Sequence, residues 1–357
     1  MTIFPTVDAD RRARMLAPPD PADGAVDVVL DTDVTNEIDD QFAIVWTMLR
    51  PDRVNLLALT ACPYRFGPEL VTGTALEADI DRRDLARRLG ATVEGQRPGA
   101  ELSEEVAARI RRVEPDEAVA RAAAELTTIA ELCGRTEVPI HEGSRSFLPG
   151  AGMAVASAAA EAIVELAHAQ SDGRPLQVLA IGCATNVASA LLLDPSIVDK
   201  VVVVWTSAYP TFWPYPNASY NLSLDLHASR ILFASGVPLV YLPGYYVGEE
   251  LRISRPEVEA WVRPHGPVGA YLADAFASHP KVTGVMRSKV IWDLVNVAWV
   301  VDPSLLTTVV AATPLLDDAR RWVTQPAAPL LREAVDLDRD RVFADLVERL
   351  IIHAAGA

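Results

Sequence analysis

Residues 26–49 read VDVVLDTDVTNEIDDQFAIVWTML, and the change of pattern within them decides the fold. Residues 26–30 are apolar and mostly β-branched apart from Asp27, which predicts a buried strand. From Asp39 to Leu49 the apolar residues follow helical spacing, which predicts a helix. With the polar loop between them, they form a strand, loop and helix unit.

The same alternation of strands and helices continues along the chain. Further strands are predicted at 54–60, 138–141, 176–181, 201–205 and 238–242, and helices at 69–89, 155–168, 185–193 and 226–234. Apolar strands separated by helices indicate an α/β fold, with an open, doubly wound, mostly parallel central sheet and helices on both faces. Active sites of such sheets lie at the carboxyl ends of the strands.

The composition indicates how the chain is divided. Residues 1–24 are rich in Pro, Asp, Arg and Ala, which predicts a flexible lead-in, and residues 25–357 are predicted to form a single domain. Residues 101–133 are helical in pattern and strongly charged, and form either a peripheral insertion or a covering layer.

The charge balance excludes several classes of partner. The 48 acidic and 32 basic residues give a net charge of −16, which repels nucleic acid and anionic membranes. No apolar run approaches the roughly 20 residues of a membrane span, and residues 1–20 lack the apolar core of a signal peptide. The three scattered cysteines form neither a disulfide framework nor a thiolate zinc site. We therefore predict a cytoplasmic protein without a nucleic-acid or membrane partner.

The loop after the first predicted strand is unusually acidic. It contains Asp31, Asp33, Asn36, Glu37, Asp39 and Asp40 within ten residues. Carboxylates this close repel one another unless a cation or hydrogen-bond donors compensate them, and a hard cation such as Ca²⁺ or Mg²⁺ prefers oxygen ligands. A solvated acidic turn, with Asp39 capping the helix, is the other interpretation. The position directly after a buried strand favours a functional site.

Three later segments combine polar residues with strand or helix ends. KVIWDLVNVA at 289–298 places Asp293 at the start of an apolar helix, where an aspartate is also a common cap. LAIGCATNVA at 179–188 is a strand followed by a turn of small residues, which leaves backbone carbonyls free. WPYPNASYNLSLD at 213–225 is a polar and aromatic loop ahead of a helix.

In this order, the four segments resemble the nucleoside hydrolases, a family that cleaves the N-glycosidic bond of ribonucleosides with a tightly held Ca²⁺. The resemblance extends over residues 26–303, across an acidic loop longer than in the best-known members. The matching stretches are Asp31-Thr32-Asp33 with Asp39-Asp40, Thr185-Asn186 with Asp194-Pro195, Tyr220-Asn221-Leu222 with Asp225, residues 236–240, and the late aspartate Asp293.

The resemblance implies a role for each matched residue. Asp33, Asp40, Asp293 and the backbone carbonyl of Ile181 correspond to Ca²⁺ ligands. Asp33 also corresponds to the base that takes a proton from the water attacking the anomeric carbon. The residues that correspond to substrate contacts are Asp39, Asn36, Asn217, Asn221 and Trp292. Asp31 is expected to support the loop, and the family resemblance implies a homo-dimer or homo-tetramer that takes a small, nucleoside-like substrate.

The chain departs from the family pattern on the side of the leaving base. One branch of the family has a His before the late aspartate, which protonates the base, whereas this chain has Trp292, which either stacks on a purine or packs in the core. Residues 205–209 replace a Gly-Gly turn, and Ser219 replaces a Glu that touches the sugar. Four aromatic residues either line a base pocket or fill the core: Trp205, Tyr209, Trp213 and Tyr215. The identities of base and sugar stay open.

Two other functions fit parts of the pattern. Asp31-Thr32-Asp33-Val34-Thr35 matches the start of haloacid dehalogenase-type phosphatases, where the first Asp is the nucleophile and Mg²⁺ the cofactor. The immediate Asp39-Asp40 helix start and the ordered later segments disfavour this alternative. The other alternative is a non-catalytic or repurposed family member that binds a sugar-like ligand.

Overall fold

The structure is a computed structural model, which describes residues 4–65, 113–217, 219–279, 282 and 286–356. The strands are β1 Val26–Thr32, β2 Val54–Ala61, β3 Ile140–Glu142, β4 Leu176–Ala180, β5 Val201–Ser207, β6 Leu239–Pro243, β7 Arg252–Ser254, β8 Ser288–Val290, β9 Leu306–Ala312, β10 Leu315–Leu316, β11 Trp322–Val323 and β12 Leu330–Leu337. The helices are α1 Ala9–Met15, α2 Asp39–Met48, α3 Pro115–Leu132, α4 Ala158–Ala169, α5 Thr185–Leu193, α6 Tyr220–Leu224, α7 Leu226–Ala234, α8 Arg255–Trp261, α9 Gly266–Ser278, α10 Leu294–Val301 and α11 Arg339–Gly356.

Eight strands form the central sheet, in the order β3-β2-β1-β4-β5-β6-β12-β9. All neighbouring pairs are parallel except β12 and β9, which are antiparallel at the edge. The helices pack in two groups that both contact the sheet, one built around α2 and α10 and the other around α4 and α5. The predicted α/β fold with a mostly parallel sheet is therefore confirmed.

The order of the strands indicates where a ligand is expected to bind. The chain passes from β1 to β2 and β3 on one side and then returns to β4 on the other side of β1. Strand order therefore reverses between β1 and β4, and ligands of open α/β sheets bind outside the carboxyl ends of the strands at such a point. The acidic loop follows β1 at this end.

The predicted elements are present wherever they fall within the described residues, with ends displaced by up to three residues. The predicted helix at 69–89 and the first part of the charged segment at 101–133 lie outside the described residues, whereas the remainder of that segment contains α3. None of the helices in the described part of the chain is long and apolar enough to cross a bilayer.

The described residues up to 24, which the sequence predicts to be a flexible lead-in, contain a helix that packs on the core. They contain α1, which Asp8 caps by accepting a hydrogen bond from the Arg11 backbone N–H at 2.9 Å. Met15 is buried against the main hydrophobic core, and the buried Arg12 guanidinium donates to the carbonyls of Gly236 and Leu330. The few apolar residues that pack on the core are spaced among many charged ones, so the composition of the segment did not predict a packed helix.

Candidate functional site

The site is built where β1 and β4 end. Asp31 of β1 lies opposite Ala180 of β4, and the N–H of Ile181 donates to the Asp31 carbonyl at 2.9 Å. The two loops that leave these strands therefore begin side by side, at the point where the strand order reverses. The acidic residues and the turn at Gly182 therefore lie together at this end of the sheet.

The Asp31 side chain joins three elements at this end of the sheet. Its Oδ1 accepts hydrogen bonds from Thr60 Oγ1 of β2 at 2.6 Å and from Asn186 Nδ2 of α5 at 2.8 Å. Complete burial raises the pKa of Asp31 to about 7, although these two hydrogen bonds oppose the rise. Asp31 therefore acts as a buried support for the strand ends.

Asp39, Asp40 and Asp293 form a group of buried carboxylates. Each offers one oxygen, and these three oxygens lie within 4.8 Å of one another. Asp39 and Asp40 begin α2, and Asp293 is the N-cap residue of α10, so the positive ends of two helix dipoles favour their ionised forms. Residues far apart in sequence thus meet at one point.

Asp33 lies outside this group of three but interacts electrostatically with all of them. The Asn36 Nδ2 donates to Asp33 Oδ2 at 2.9 Å, which fixes the direction of the carboxylate. Burial is the main cause that raises the pKa of Asp33, Asp40 and Asp293 well above the ordinary value. Repulsion among the neighbouring carboxylates raises these pKa values further, so we treat Asp33, Asp39, Asp40 and Asp293 as the carboxylate cluster.

A divalent cation fits the carboxylate cluster. Asp40 Oδ1 accepts a hydrogen bond from Thr32 Oγ1 at 2.5 Å, but the buried Asp293 carboxylate forms no hydrogen bond or ion pair with the described residues. A buried carboxylate without a partner is costly unless a cation compensates it. Oxygen ligands alone, without thiolate or imidazole, favour a hard cation such as Ca²⁺ or Mg²⁺ over zinc.

The turn after β4 closes tightly on Asp33. A Cβ atom added at Gly182 would lie 2.4 Å from Cys62 Sγ and 2.7 Å from Asp33 Oδ1, so no larger residue fits there without displacing its neighbours. The carbonyl of Ile181, predicted as a metal ligand, accepts a hydrogen bond from Asn221 Nδ2 at 2.9 Å. A carbonyl oxygen has two lone pairs, so one stays available for a second partner.

Lys289 is a functional residue that the sequence-based interpretation missed, although it lies in the segment that supplies Asp293. Its side chain is only 2 % exposed, and its Nζ lies 2.6 Å from Glu37 Oε2 and 3.1 Å from Asp39 Oδ1. The two ion pairs raise the pKa of Lys289 despite its burial, so it stays charged. The available signal was a lone Lys in an otherwise apolar stretch ahead of Asp293.

The predicted substrate contact by Asn217 is not supported by its surroundings. Asn217 is fully buried, its Oδ1 accepts from the Tyr209 N–H at 3.1 Å, and its Nδ2 donates to the Arg320 carbonyl at 3.0 Å. Both polar atoms of the amide therefore hold the loop together. Asn221 and Asn36, by contrast, bond directly to Ile181 and Asp33 and belong to the site.

The two departures from the nucleoside hydrolase pattern contact each other. Ser219 Oγ lies 2.9 Å from Ser207 Oγ and accepts a hydrogen bond from the Ala208 N–H at 2.9 Å. Ala208 takes a positive φ of 55°, in the left-handed region that glycine adopts most easily. The hydroxyl of Ser219 therefore stabilises a turn where the family has glycines.

An aromatic stack leads from Trp292 toward the surface. The rings of Tyr245 and Trp292 meet edge to face at 5.6 Å, Tyr245 stacks on Tyr209 at 4.2 Å, and Tyr209 stacks on Trp213 at 4.8 Å. Trp205 differs, because it is fully buried and its Nε1 donates to the Gly182 carbonyl. Trp205 is therefore a core residue, whereas Trp292 is only partly buried beside the site.

Comparison with protein families gives a match over residues 110–344 to the profile of the inosine-uridine preferring nucleoside hydrolases. Among curated proteins, a putative pyrimidine-specific ribonucleoside hydrolase RihB of Shigella boydii is 34% identical over 110 residues, which cover 29% of this chain and 43% of that protein. The pyrimidine-specific ribonucleoside hydrolase RihB of Escherichia coli O1:K1 is 31% identical over 106 residues, 29% of this chain and 33% of that protein. The alignments thus span less than half of these relatives.

Two solved structures have a similar fold over almost their whole length. A purine-preferring ribonucleoside hydrolase from Gardnerella vaginalis superposes with a TM-score of 0.63 at 20% identity, covering 93% of this chain and 100% of that one. The plant nucleoside hydrolase PpNRh1 superposes with a TM-score of 0.62 at 18% identity, covering 91% and 99%. At these identities the likeness concerns the fold.

Proposed function

Because this chain belongs to the inosine-uridine preferring nucleoside hydrolase family, we propose that it hydrolyses the N-glycosidic bond of a nucleoside or related N-riboside in a Ca²⁺-dependent reaction. The observation that carries the proposal is the buried carboxylate cluster at the reversal of strand order. Such a cluster offers both ligands for a cation and a base for water.

The proposed ligands of the cation are Asp33, Asp40, Asp293 and the carbonyl of Ile181. The unpaired, buried carboxylate of Asp293 supports this assignment, as does the oxygen-only donor set. A bound Ca²⁺ supplies positive charge that keeps the carboxylates ionised and lowers the pKa of nearby water. Asp39 and Asn221 remain for the sugar hydroxyls, since hydroxyls donate to a carboxylate and pair with an amide.

Asp33 is the proposed general base. Burial raises the pKa of Asp33 when no cation is bound, so a bound Ca²⁺ would be needed to keep this carboxylate ionised and able to take a proton from water. The hydrogen bond from Asn36 leaves the second oxygen, Oδ1, directed toward the Gly182 turn. Asn36 therefore orients the base, in place of the substrate contact that the sequence predicts for it. As the water oxygen bonds to the anomeric carbon, its proton passes to Asp33 and the C–N bond breaks.

Trp292 is the proposed contact for the leaving base. Its ring is partly buried and lies one residue before Asp293, so a planar base that leaves the anomeric carbon would meet an aromatic face or edge. An indole ring donates no proton at neutral pH, and the departing nitrogen therefore needs its proton from solvent or from the substrate itself.

The proposal is tested by measuring release of free base and reducing sugar from a panel of purine and pyrimidine nucleosides with Ca²⁺ present. Asp33→Asn should lower kcat about 10²–10⁴-fold, the usual contribution of a general base, without unfolding the protein. Asp27→Asn is the matched control, because Asp27 lies at the other end of β1 and bonds only to Asn55 among the described residues. Full activity of Asp33→Asn contradicts the assignment.

A phosphatase assay and a binding measurement on the same preparation separate the alternatives. A phosphatase of the haloacid dehalogenase type requires Asp31 to be an accessible nucleophile, yet Asp31 is fully buried and hydrogen-bonded to Thr60 and Asn186. Release of phosphate from a generic phosphoester would support that reading despite the burial. Binding of Ca²⁺ and nucleoside without any release of base would identify a non-catalytic member.

A further inference from the structure

Lys289 is a buried cation in direct contact with the carboxylate cluster. It lies in the middle of β8, which pairs with β7 in antiparallel fashion and leads directly into the Asp293 segment. Its ammonium group contacts Glu37 Oε2 at 2.6 Å, Asp39 Oδ1 at 3.1 Å and the Val290 carbonyl at 3.2 Å. Lys289 therefore places a positive charge directly against the acidic residues of the site.

The geometry excludes Lys289 as a replacement for the missing general acid. An ammonium group has three N–H donors, and Lys289 has three acceptors within hydrogen-bond or ion-pair distance. No donor is left for a leaving base, and the two carboxylates hold the proton on the amine. Its direct contacts with the site are therefore those with Glu37 and Asp39.

The contact with Lys289 distinguishes Asp39 from the other carboxylates of the cluster. By distance alone Asp39 belongs with Asp40 and Asp293, because their oxygens lie within 4.8 Å of one another. Lys289 takes one oxygen of Asp39, whereas Asp40 and Asp293 form no ion pair with a basic side chain in the described ranges. The cluster therefore divides into one carboxylate that pairs directly with a lysine and others that feel the lysine only from a distance.

We propose that Lys289 is a positioning residue that keeps Asp39 out of the metal's ligand set and holds its free oxygen as an acceptor for a sugar hydroxyl. The inference rests on the proposed function, since it divides the same cluster between metal and substrate. Glu37, 23 % exposed, completes the ion pairing on the solvent side, so that the ammonium group stays fixed when substrate enters.

The proposal predicts that loss of the Lys289 charge raises the affinity for Ca²⁺ and lowers the affinity for the sugar. Without the Lys289 charge, Asp39 becomes an additional carboxylate for Ca²⁺, and the sugar loses a fixed acceptor. Lys289→Met should therefore bind Ca²⁺ about tenfold more tightly, because an unscreened carboxylate near a divalent ion is strongly attractive. The same variant should bind free D-ribose, and nucleoside as judged by KM, about tenfold more weakly, as expected when a charged hydrogen bond is lost.

The test uses calorimetric titration of the whole protein with CaCl₂ and then of the Ca²⁺-loaded protein with D-ribose, so that it does not depend on turnover. Lys200→Met is the matched control, because Lys200 directly precedes β5, at the end of the sheet opposite the site, so both affinities should stay within about threefold. Unchanged or weaker Ca²⁺ binding by Lys289→Met together with weaker ribose binding would make Lys289 a general structural support and overturn the proposal.

A double variant keeps the test valid if Lys289→Met does not fold. Lys289→Met with Asp39→Asn removes both charges of the pair and should return the Ca²⁺ affinity to near that of the unaltered protein. If Asp39 is itself a metal ligand, the double variant should lose Ca²⁺ affinity by about a hundredfold, and the proposal is then overturned. Absence of Ca²⁺ binding by the unaltered protein would instead refute the proposed metal dependence, before any variant is compared.

Discussion

Gly182→Ala tests how closely the turn after β4 approaches the proposed base. The added Cβ would lie 2.4 Å from Cys62 Sγ and 2.7 Å from Asp33 Oδ1. Nonbonded heavy atoms need about 3.5 Å, so each neighbour, or the turn itself, must move by about 1 Å. Both neighbours are buried, and neither is the end of a long, flexible side chain.

The displacement sets the expected magnitudes. Insertion of a methyl group into a packed interior costs about 1–3 kcal/mol of unfolding free energy. A reacting group displaced by about 1 Å loses about 10²-fold in rate. We therefore expect Gly182→Ala to remain folded, with a lower melting temperature, and to show kcat/KM about a hundredfold lower, mainly through kcat.

The assay is base release from the best nucleoside of the panel, with urea unfolding of the same preparations. Cys62→Ala is the control for packing, and the double variant Gly182→Ala with Cys62→Ala removes the contact with Sγ but keeps the contact with Asp33. The double variant should therefore recover stability without recovering activity. If it recovers both, Cys62 was the only obstruction and the argument about Asp33 is wrong. Activity of Gly182→Ala within about threefold of the unaltered protein would refute it outright.

Two further predictions concern stability. In chelator, the melting temperature should fall as the pH rises from about 4 through 7. Burial raises the pKa of Asp31 to about 7 and also raises the pKa of Asp33 well above its ordinary value, so the folded form binds protons that the unfolded chain has released. Ca²⁺ should reverse the fall at the alkaline end, and a rising melting temperature in chelator would contradict the assignment. Arg12→Ala should lose about 1–3 kcal/mol of unfolding free energy, because the Gly236 and Leu330 carbonyls lose their buried donor. The exposed Arg14→Ala on the same helix should not lose stability. Equal urea midpoints for the two variants would show that α1 is not anchored through Arg12.

The central strands were predictable because they are buried on both faces. Strands β1, β4 and β5 are nearly continuous apolar runs, which is the pattern of a covered parallel strand. Strand β9 at the sheet edge was not predicted, since it is partly exposed and its residues alternate irregularly between buried and exposed. The same limit applies to α1, whose few buried residues lie within a charged segment.

The candidate site was predictable where the acids themselves carry the signal. Asp33, Asp39 and Asp40 follow a buried strand within one loop, and the family resemblance added Asp293. The role of Lys289 was not predictable, because its partner Asp39 lies 250 residues away and no local sequence pattern links the two residues. Asn217 was predicted as a substrate contact from its position in the sequence, yet both polar atoms of its amide form hydrogen bonds with backbone groups.

The changes on the sugar side amount to a single structural change. Ser219 stands where the family has a Glu that touches the sugar, and its hydroxyl instead bonds to Ser207 and to the Ala208 N–H. That hydrogen bond stabilises the positive φ of Ala208, which glycine would adopt without help. The serine that replaces the Glu therefore stabilises the turn that has lost its glycines. The Ser219 hydroxyl is engaged with the turn and does not extend to a sugar, so under the proposed function the sugar hydroxyls depend more heavily on Asp39, which pairs with Lys289.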